Sequence, residues 1–349
     1  MNIRKKALKI IMITVLVLLV VLLLMSRVLI LNEFKEIEKN QVENDISLLQ
    51  MILNQELERI NTINGDWAPW DDTYQFINDR NNRYIENNLG DETLKNLDLN
   101  FMVFVDSNNN LVYSKQVDLH QQDADSLSKG MLDYLLAKNS KIEFSDNRDY
   151  TAGVIIYQDQ PYYISFRPIL KSEFTGEQNG VLIMGKHLDS HFRSNLAESL
   201  NMTVEIKVTD SANKPGSNYK KVPDSSILKD GISQINPINR EYIAGDLVVK
   251  DLSGNYRLRF RLIEPRNVYA QGLKSLYYLI FVFLLSSALF SFVIFYLLNK
   301  TIFIHNDEQQ VLLNTIPARI FLKDRDLNYI SAKNGFRLLM ESIGIIPAI

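Results

Sequence analysis

Both tryptophans of the chain fall within one short stretch, Gly65-Asp66-Trp67-Ala68-Pro69-Trp70-Asp71-Asp72-Thr73-Tyr74-Gln75-Phe76-Ile77. Two indole faces beside three carboxylates can line a pocket for a cationic or polar ligand, the rings meeting a cation and the acids accepting hydrogen bonds. The same residues also suit a structural role, with the tryptophans in a core and Asp71 and Asp72 at a helix start, where negative charge is favoured. Gly65 and Pro69 are expected to end one helix, and Pro69 at a first helical position to begin the next, which puts Trp70, Tyr74 and Ile77 on one face. Farther along, Arg167 lies near the end of a strand. It can clasp a carboxylate bidentately if it points into a concave face, or stand in solvent if it points outward. The expected ligand-binding set is Trp67, Trp70, Asp71, Asp72 and Tyr74, converging with Tyr157 or Arg167.

Other chemistries find less support. His187 and His191 stand four apart, a spacing that can hold a metal on a helix. With no cysteine in the chain and no glutamate between them, no metal site is expected. Asp106-Ser107-Asn108-Asn109-Asn110 has the look of half a calcium loop, but it lacks the glycine and the bidentate glutamate such a loop needs and reads as a hairpin turn. There is no glycine-rich phosphate loop, no nucleophile with a matched base and no phosphoacceptor histidine box, so no catalytic residue and no cofactor is expected. Two alternatives stay open: an anchored hydrolase using Asp66, Asp71 or Asp72 as acids, and a small adaptor that pairs with a full-length receptor.

The elements that must position these residues are sorted by a membrane. Leu276 to Leu298 is free of charge and, at ~1.5 Å per residue, reaches ~35 Å as a helix, enough to cross a hydrocarbon core of ~30 Å. Tyr277, Tyr278 and Tyr296 suit its two interfaces. Near the start, Arg4, Lys5, Lys6 and Lys9 precede an apolar run over residues 10–31. Cationic flanks stay in the cytoplasm, and Met25-Ser26-Arg27 makes a poor cleavage site, so an uncleaved first span is expected. Both termini are then cytoplasmic and residues 32–273 lie outside.

Net charge of −3 and a pI near 5.9 argue against nucleic-acid binding. The absence of cysteine means that any external part holds together by its core alone. From Phe34, apolar residues recur every three or four positions (Ile37, Val42, Ile46, Leu49, Leu53, Leu57, Ile60, Ile63), an amphipathic helix over 32–64 whose narrow stripe can pair with a second copy or cover its own sheet. Strands are expected at 101–105 and 111–114, at 153–157 and 162–168 and at 181–185, with helices at 126–138 and 188–200. Hairpin, helix, hairpin and strand suggest a PAS-like antiparallel sheet, so the fold class is α+β. Residues 206–273 add strands at 242–249 and 256–264, with Asp210 to Asn239 as loop, and either complete that sheet or form a membrane-proximal lobe.

The pattern Asp66-Trp67-x-x-Trp70-Asp71-Asp72-Thr73-Tyr74, followed by the strand Asn100 to Asp106, resembles the fourth subclass of CHASE extracytoplasmic sensory domains over about 65–205. Those domains sit between two spans in prokaryotic sensor histidine kinases, diguanylate cyclases of cyclic di-GMP signalling and phosphodiesterases. The resemblance implies a membrane receptor that senses a small-molecule ligand it does not name, and the apolar stripe over 32–64 makes a homodimer the expected assembly.

Beyond the second span, 299–314 reads as a linker containing a short helix at Asp307 to Asn314. Residues 315–349, Thr315-Ile316-Pro317 onward, resemble the opening of a PAS domain. Such a domain takes roughly 100 residues, so only its start lies in these positions and the effector is expected elsewhere.

Overall fold

The computed structural model describes residues 3–119, 127–209, 218–224, 227–315, 321–323 and 329–332. Two long helices frame the chain: α1 (Ile3–Trp67) and α7 (Asn267–Thr315). Each contains a stretch long and apolar enough to cross a membrane, the candidate spans falling within Lys9–Trp67 and Asn267–Leu297. Side chains such as Leu16, Val17, Leu24, Phe281, Phe290 and Phe292 stand exposed along them, as a lipid-facing surface requires. The chain divides into two compact units, residues 33–270 and residues 1–32 with 271–349.

Within 33–270, the helices α2 (Asp71–Asp79), α3 (Asn82–Asn88) and α4 (Asp91–Asn96) lead into strands β1 (Phe101–Asp106) and β2 (Leu111–Gln116). Helix α5 (Lys129–Asn139) is followed by β3 (Thr151–Tyr157), β4 (Gln160–Lys171), β5 (Thr175–His187) and helix α6 (Ser190–Leu200). The five strands form one antiparallel sheet in the order β2-β1-β5-β4-β3. Turn chemistry sets its register. Gln158 and Asp159 both take positive φ, 47° and 59°, as the two-residue loop of a twisted hairpin demands. In the β1–β2 turn, Asp106 Oδ1 accepts from the backbone N–H groups of Asn108 and Asn110, while Asn109 adopts φ 64°.

The sheet is covered on both faces, so its strands read as apolar runs rather than a clean alternation. One face, with Met102, Phe104, Val154, Tyr163 and Met184, meets Leu49, Leu53, Leu57 and Ile60 of α1 in the larger core. The other, with Phe101, Val103, Ile155, Ile164 and Phe166, meets Met131 and Leu135 of α5.

A second antiparallel sheet follows, built from β6 (Thr203–Val208), β7 (Lys220–Lys221), β8 (Ile232–Pro237), β9 (Tyr242–Lys250) and β10 (Tyr256–Pro265) in the order β6-β10-β9-β8-β7. Residues 206–273 thus do not complete the first sheet. Val42 and Ile46 of α1 lie directly over Gly245 of β9, where a Cβ would meet both. One helix therefore supports both sheets. Beyond α7, β11 (Phe321–Lys323) pairs antiparallel with β12 (Tyr329–Ala332), whereas the remainder of the expected PAS opening, from residue 333 on, lies outside the described residues.

The structure corrects several expectations. Gly65 does not break α1, which runs on to Trp67: the missing Cβ leaves room for the Arg167 guanidinium, whose Cζ would lie 3.0 Å from it. Pro69 is not a first helical position, since α2 starts at Asp71 with Trp70 as the residue before it. Ile37 leaves the buried stripe and is 51 % exposed, because Glu38 takes the inward place against Arg266. The stretch Asp210 to Asn239 is not all loop, since it contributes β7 and β8. The helix expected from Ser126 begins at Lys129, where the Ser128 hydroxyl accepts from the N–H of Met131 at 3.2 Å. Asp307 to Asn314 is not a separate short helix but the continuation of α7.

Candidate functional site

The expected ligand-binding residues are dispersed over both faces of the first sheet. Trp67 and Trp70 meet edge to face with ring centroids 6.1 Å apart, and both pack against the larger core. From Trp70 the aromatic chain continues through Tyr84 to Phe76, whose rings stack at 4.5 Å, and on to Phe104 of β1. Tyr84 is tied at its hydroxyl to buried Thr73, 2.7 Å away. The signature residues around the α1–α2 turn therefore hold that turn against the sheet. Asp71 Oδ1 accepts from the backbone N–H of Ser172 at 2.9 Å, and Asn179 donates to the carbonyl of Tyr74 at 2.8 Å. Lys171 sits over the Tyr74 ring. These contacts clamp α2 to the β4–β5 connection. Asp72 points elsewhere, into a surface cleft lined also by Gln75, Asp79, Asn81 and Arg83.

Arg167 takes neither orientation foreseen for it. It lies on the α1 face of β4 under the end of α1, where its Nε donates to Asn61 Oδ1 at 3.2 Å and its guanidinium covers the Tyr150 ring at 4.8 Å. Burial pushes its pKa down, with Tyr150 and Asp66 acting in the opposite direction. Beside it, Asn64 Nδ2 donates to the carbonyls of Ser165 and Leu182, and Ser165 Oγ donates to Asn61. Polar α1 residues at 61 and 64 thus lock the helix to the sheet at defined register.

Tyr157 lies on the opposite face, and of the seven it is the residue that enters a cavity on the α5 side of the sheet. That cavity, about 300 Å³, is lined by Asn100, Phe101, Gln116, Leu127, Ser128, Met131, Tyr157, Gln158, Gln160, Tyr162 and His187. Its floor is aromatic: the Tyr162 and His187 rings stack at 4.7 Å, and the Phe101 ring stands over Gly185, where no side chain could fit. Its wall is α5, brought close by Gly130, since a Cβ there would lie 2.5 Å from the Tyr157 hydroxyl. The rim is amide. Asn100 Oδ1 accepts from the His187 N–H at 2.8 Å, fixing the strand end, and His187 Nε2 lies 3.0 Å from Gln160 Oε1.

Electrostatics suit a neutral interior. Burial pushes the His187 pKa down, with Asp189 and Asp118 countering, and burial followed by the neighbouring Tyr157 raises that of Tyr162. An uncharged imidazole, two phenols and four amides offer donors and acceptors around aromatic walls. The lining is mostly polar, with aromatic walls whose phenols, imidazole and amides can fix the orientation of a small polar molecule. Little along the chain announces this cavity, because its lining comes from strand ends and turns that meet only once the sheet has formed. The run of amides Gln158 and Gln160 in a tight hairpin was the available signal.

Residues 52–207 match the model of the CHASE4 domain. The match runs from the second half of α1 through β6, so it covers the first sheet, both of its coats and the cavity. Over 275 residues the chain is 24 % identical to the methanogenesis regulatory histidine kinase FilI of Methanothrix harundinacea (strain 6Ac), an alignment covering 78 % of this chain and 30 % of that kinase. The chain thus spans under a third of that relative's length. Among solved structures, the extracellular domain of vpHK1S-Z8, a protein assigned as a histidine kinase, aligns with 69 % of this chain and 95 % of its own length at TM-score 0.45 and 12 % identity. The periplasmic domain of Vibrio cholerae LuxQ aligns with 64 % and 97 % at TM-score 0.38 and 14 % identity. The CHASE4 match gives the chain a sensory role in signal transduction.

Proposed function

We propose that residues 33–270 are the extracytoplasmic head of a membrane signalling receptor, and that the cavity beside Tyr157 takes a small polar molecule as its signal. The observation that carries this reading is the placement of a partly open, aromatic and amide-lined cavity within the CHASE4 region of a chain framed by two membrane-length helices. The basic residues Arg4, Lys5, Lys6 and Lys9 support a cytoplasmic N-terminus and, with two spans, a cytoplasmic C-terminus. Ligand binding draws α5 and the ends of β3, β4 and β5 together around the molecule. It shifts the receptor's balance only by the difference in its affinity for the two arrangements. The output passes along β10 into α7 and onward to an effector domain outside these residues, of the kinase type that the FilI similarity suggests. The exposed apolar residues Leu48 and Met51 on α1 support a second copy of the chain as partner.

The test is a thermal-shift screen of small polar molecules against the full chain in lipid nanodiscs. A compound bound at 100 times its Kd stabilises the folded state by ~2.7 kcal/mol. The reading predicts at least one such compound whose effect disappears in Tyr157→Ala. Turnover of the compound that vanishes in Asp71→Asn would point instead to an enzyme.

A further inference from the structure

At the foot of the head, where β10 hands over to α7, three carboxylates meet one guanidinium. Glu38 and Asp45 project from α1, and Glu264 from β10, next to Arg266. Arg266 is committed to Glu38: its Nη2 lies 2.7 Å from Oε2, its Nε reaches both oxygens, and both side chains are more than nine-tenths buried. That leaves Asp45 and Glu264 facing each other within hydrogen-bonding reach. Asp45 Oδ2 and Glu264 Oε1 are both buried without a donor among the described residues. Directly across the ladder from Glu264 is Ile243 of β9, which brings no charge. Two ionised carboxylates are acceptors only, so the pair is satisfied when it holds a proton between them.

We propose that Asp45 and Glu264 form a proton-operated latch between α1 and the β10–α7 junction, so that the receptor responds to the pH outside the membrane independently of any ligand. With the shared proton in place, the two carboxyls bridge α1 to β10. Without it, two like charges sit side by side in a partly dry joint beside Glu38, and α1 and β10 move apart. Glu264 lies two residues from Arg266 of the Glu38–Arg266 ion pair and three from the start of α7, so the separation is delivered at the root of the second span. Burial, the Asp45 charge and then Glu38 raise the Glu264 pKa to about 7, which sets the working range near neutrality. Burial raises that of Asp45 as well.

Because the chain has no cysteine, a single pair of labels can report the movement. Spin labels placed by Lys35→Cys and Ala270→Cys, both exposed positions, are measured by pulsed EPR in the full chain in nanodiscs from pH 5 to 8.5. The latch predicts a label-to-label distance that lengthens through a transition near pH 7, and that stays at the short, low-pH value in Glu264→Gln. Asp45→Asn, the second variant, gives the same result should the first fold poorly. A distance independent of pH in the parent chain, or a transition that persists unchanged in both variants, overturns the proposal.

Discussion

Arg266 and Glu38, 228 positions apart, are joined by three hydrogen bonds in a pair sealed from solvent. The guanidinium also covers the Tyr269 ring at 4.2 Å and donates to the carbonyl of Asn239, while the Arg266 N–H reaches Glu241. Through one residue, the base of α1, the β8–β9 turn and the first turn of α7 are bound together. A fork-shaped, permanently charged side chain is what such a junction requires.

Removing one partner of this pair strands the other as a buried charge. Arg266→Met is expected to cost ~3–5 kcal/mol, read as a lower urea midpoint for the full chain in nanodiscs at unchanged slope. Combining it with Glu38→Leu should recover most of that loss, since a buried pair exchanged for apolar groups is close to neutral. A double variant as unstable as the single one would show that Arg266 acts through its other contacts.

Gly130 admits the Tyr157 hydroxyl to the cavity wall. Gly130→Ala should push that hydroxyl aside and weaken binding of any compound found by the thermal-shift screen at least tenfold, as measured by isothermal titration. It should leave the fold intact, because alanine gains ~1 kcal/mol over glycine within a helix. Unchanged affinity would place the compound elsewhere.

Asn64 is fully buried, and its amide satisfies the carbonyls of Ser165 and Leu182 on two strands. Asn64→Leu leaves both without that donor and should destabilise the head by ~1–3 kcal/mol. Amide hydrogen exchange should speed up in β4 and β5 and remain as in the parent in β9 and β10. Equal acceleration in both sheets would contradict a local role.

Two groups set opposite pH trends. Glu264, at about 7 in the folded protein, contributes stability that is complete below its ordinary value of 4.5 and is lost as pH rises through 7. His187 has a depressed pKa, so the folded state prefers it neutral, and stability is lost as pH falls below its ordinary value of 6.5. Denaturation midpoints across pH 5 to 8.5 should therefore lose their decline toward pH 8 in Glu264→Gln and their acid-side drop in His187→Gln. A Glu264→Gln profile parallel to that of the parent would remove Glu264 from the account.

Legibility followed locality. The Asp106 and Gln158-Asp159 hairpins were readable because turn residues declare backbone shape within four positions. So were the two membrane helices, whose apolar length is itself the signal. The buried place of Glu38 was hidden, because its partner is Arg266 at the far end of the head and no pattern along α1 marks a carboxylate as inward. β8 went unread for a similar reason: its residues Ser233, Gln234 and Asn236 have weak strand preference, and pairing with β9 overrides it. The tryptophan and aspartate stretch pointed to the CHASE4 match, while the cavity beside Tyr157 lies apart from it. Those residues are spent on clamping the α1–α2 turn and the β4–β5 connection, while the cavity is assembled from strand ends far apart in the chain.

The central claim is that the sheet-bearing head lies outside the cell with its basic start inside. Single cysteines introduced into this cysteine-free chain at exposed Asp146 and at Lys5 can be probed in intact cells with a membrane-impermeant maleimide. The account predicts labelling of Asp146→Cys in intact cells and of Lys5→Cys only after lysis. Labelling of Lys5→Cys alone in intact cells, or of neither until lysis, would contradict it.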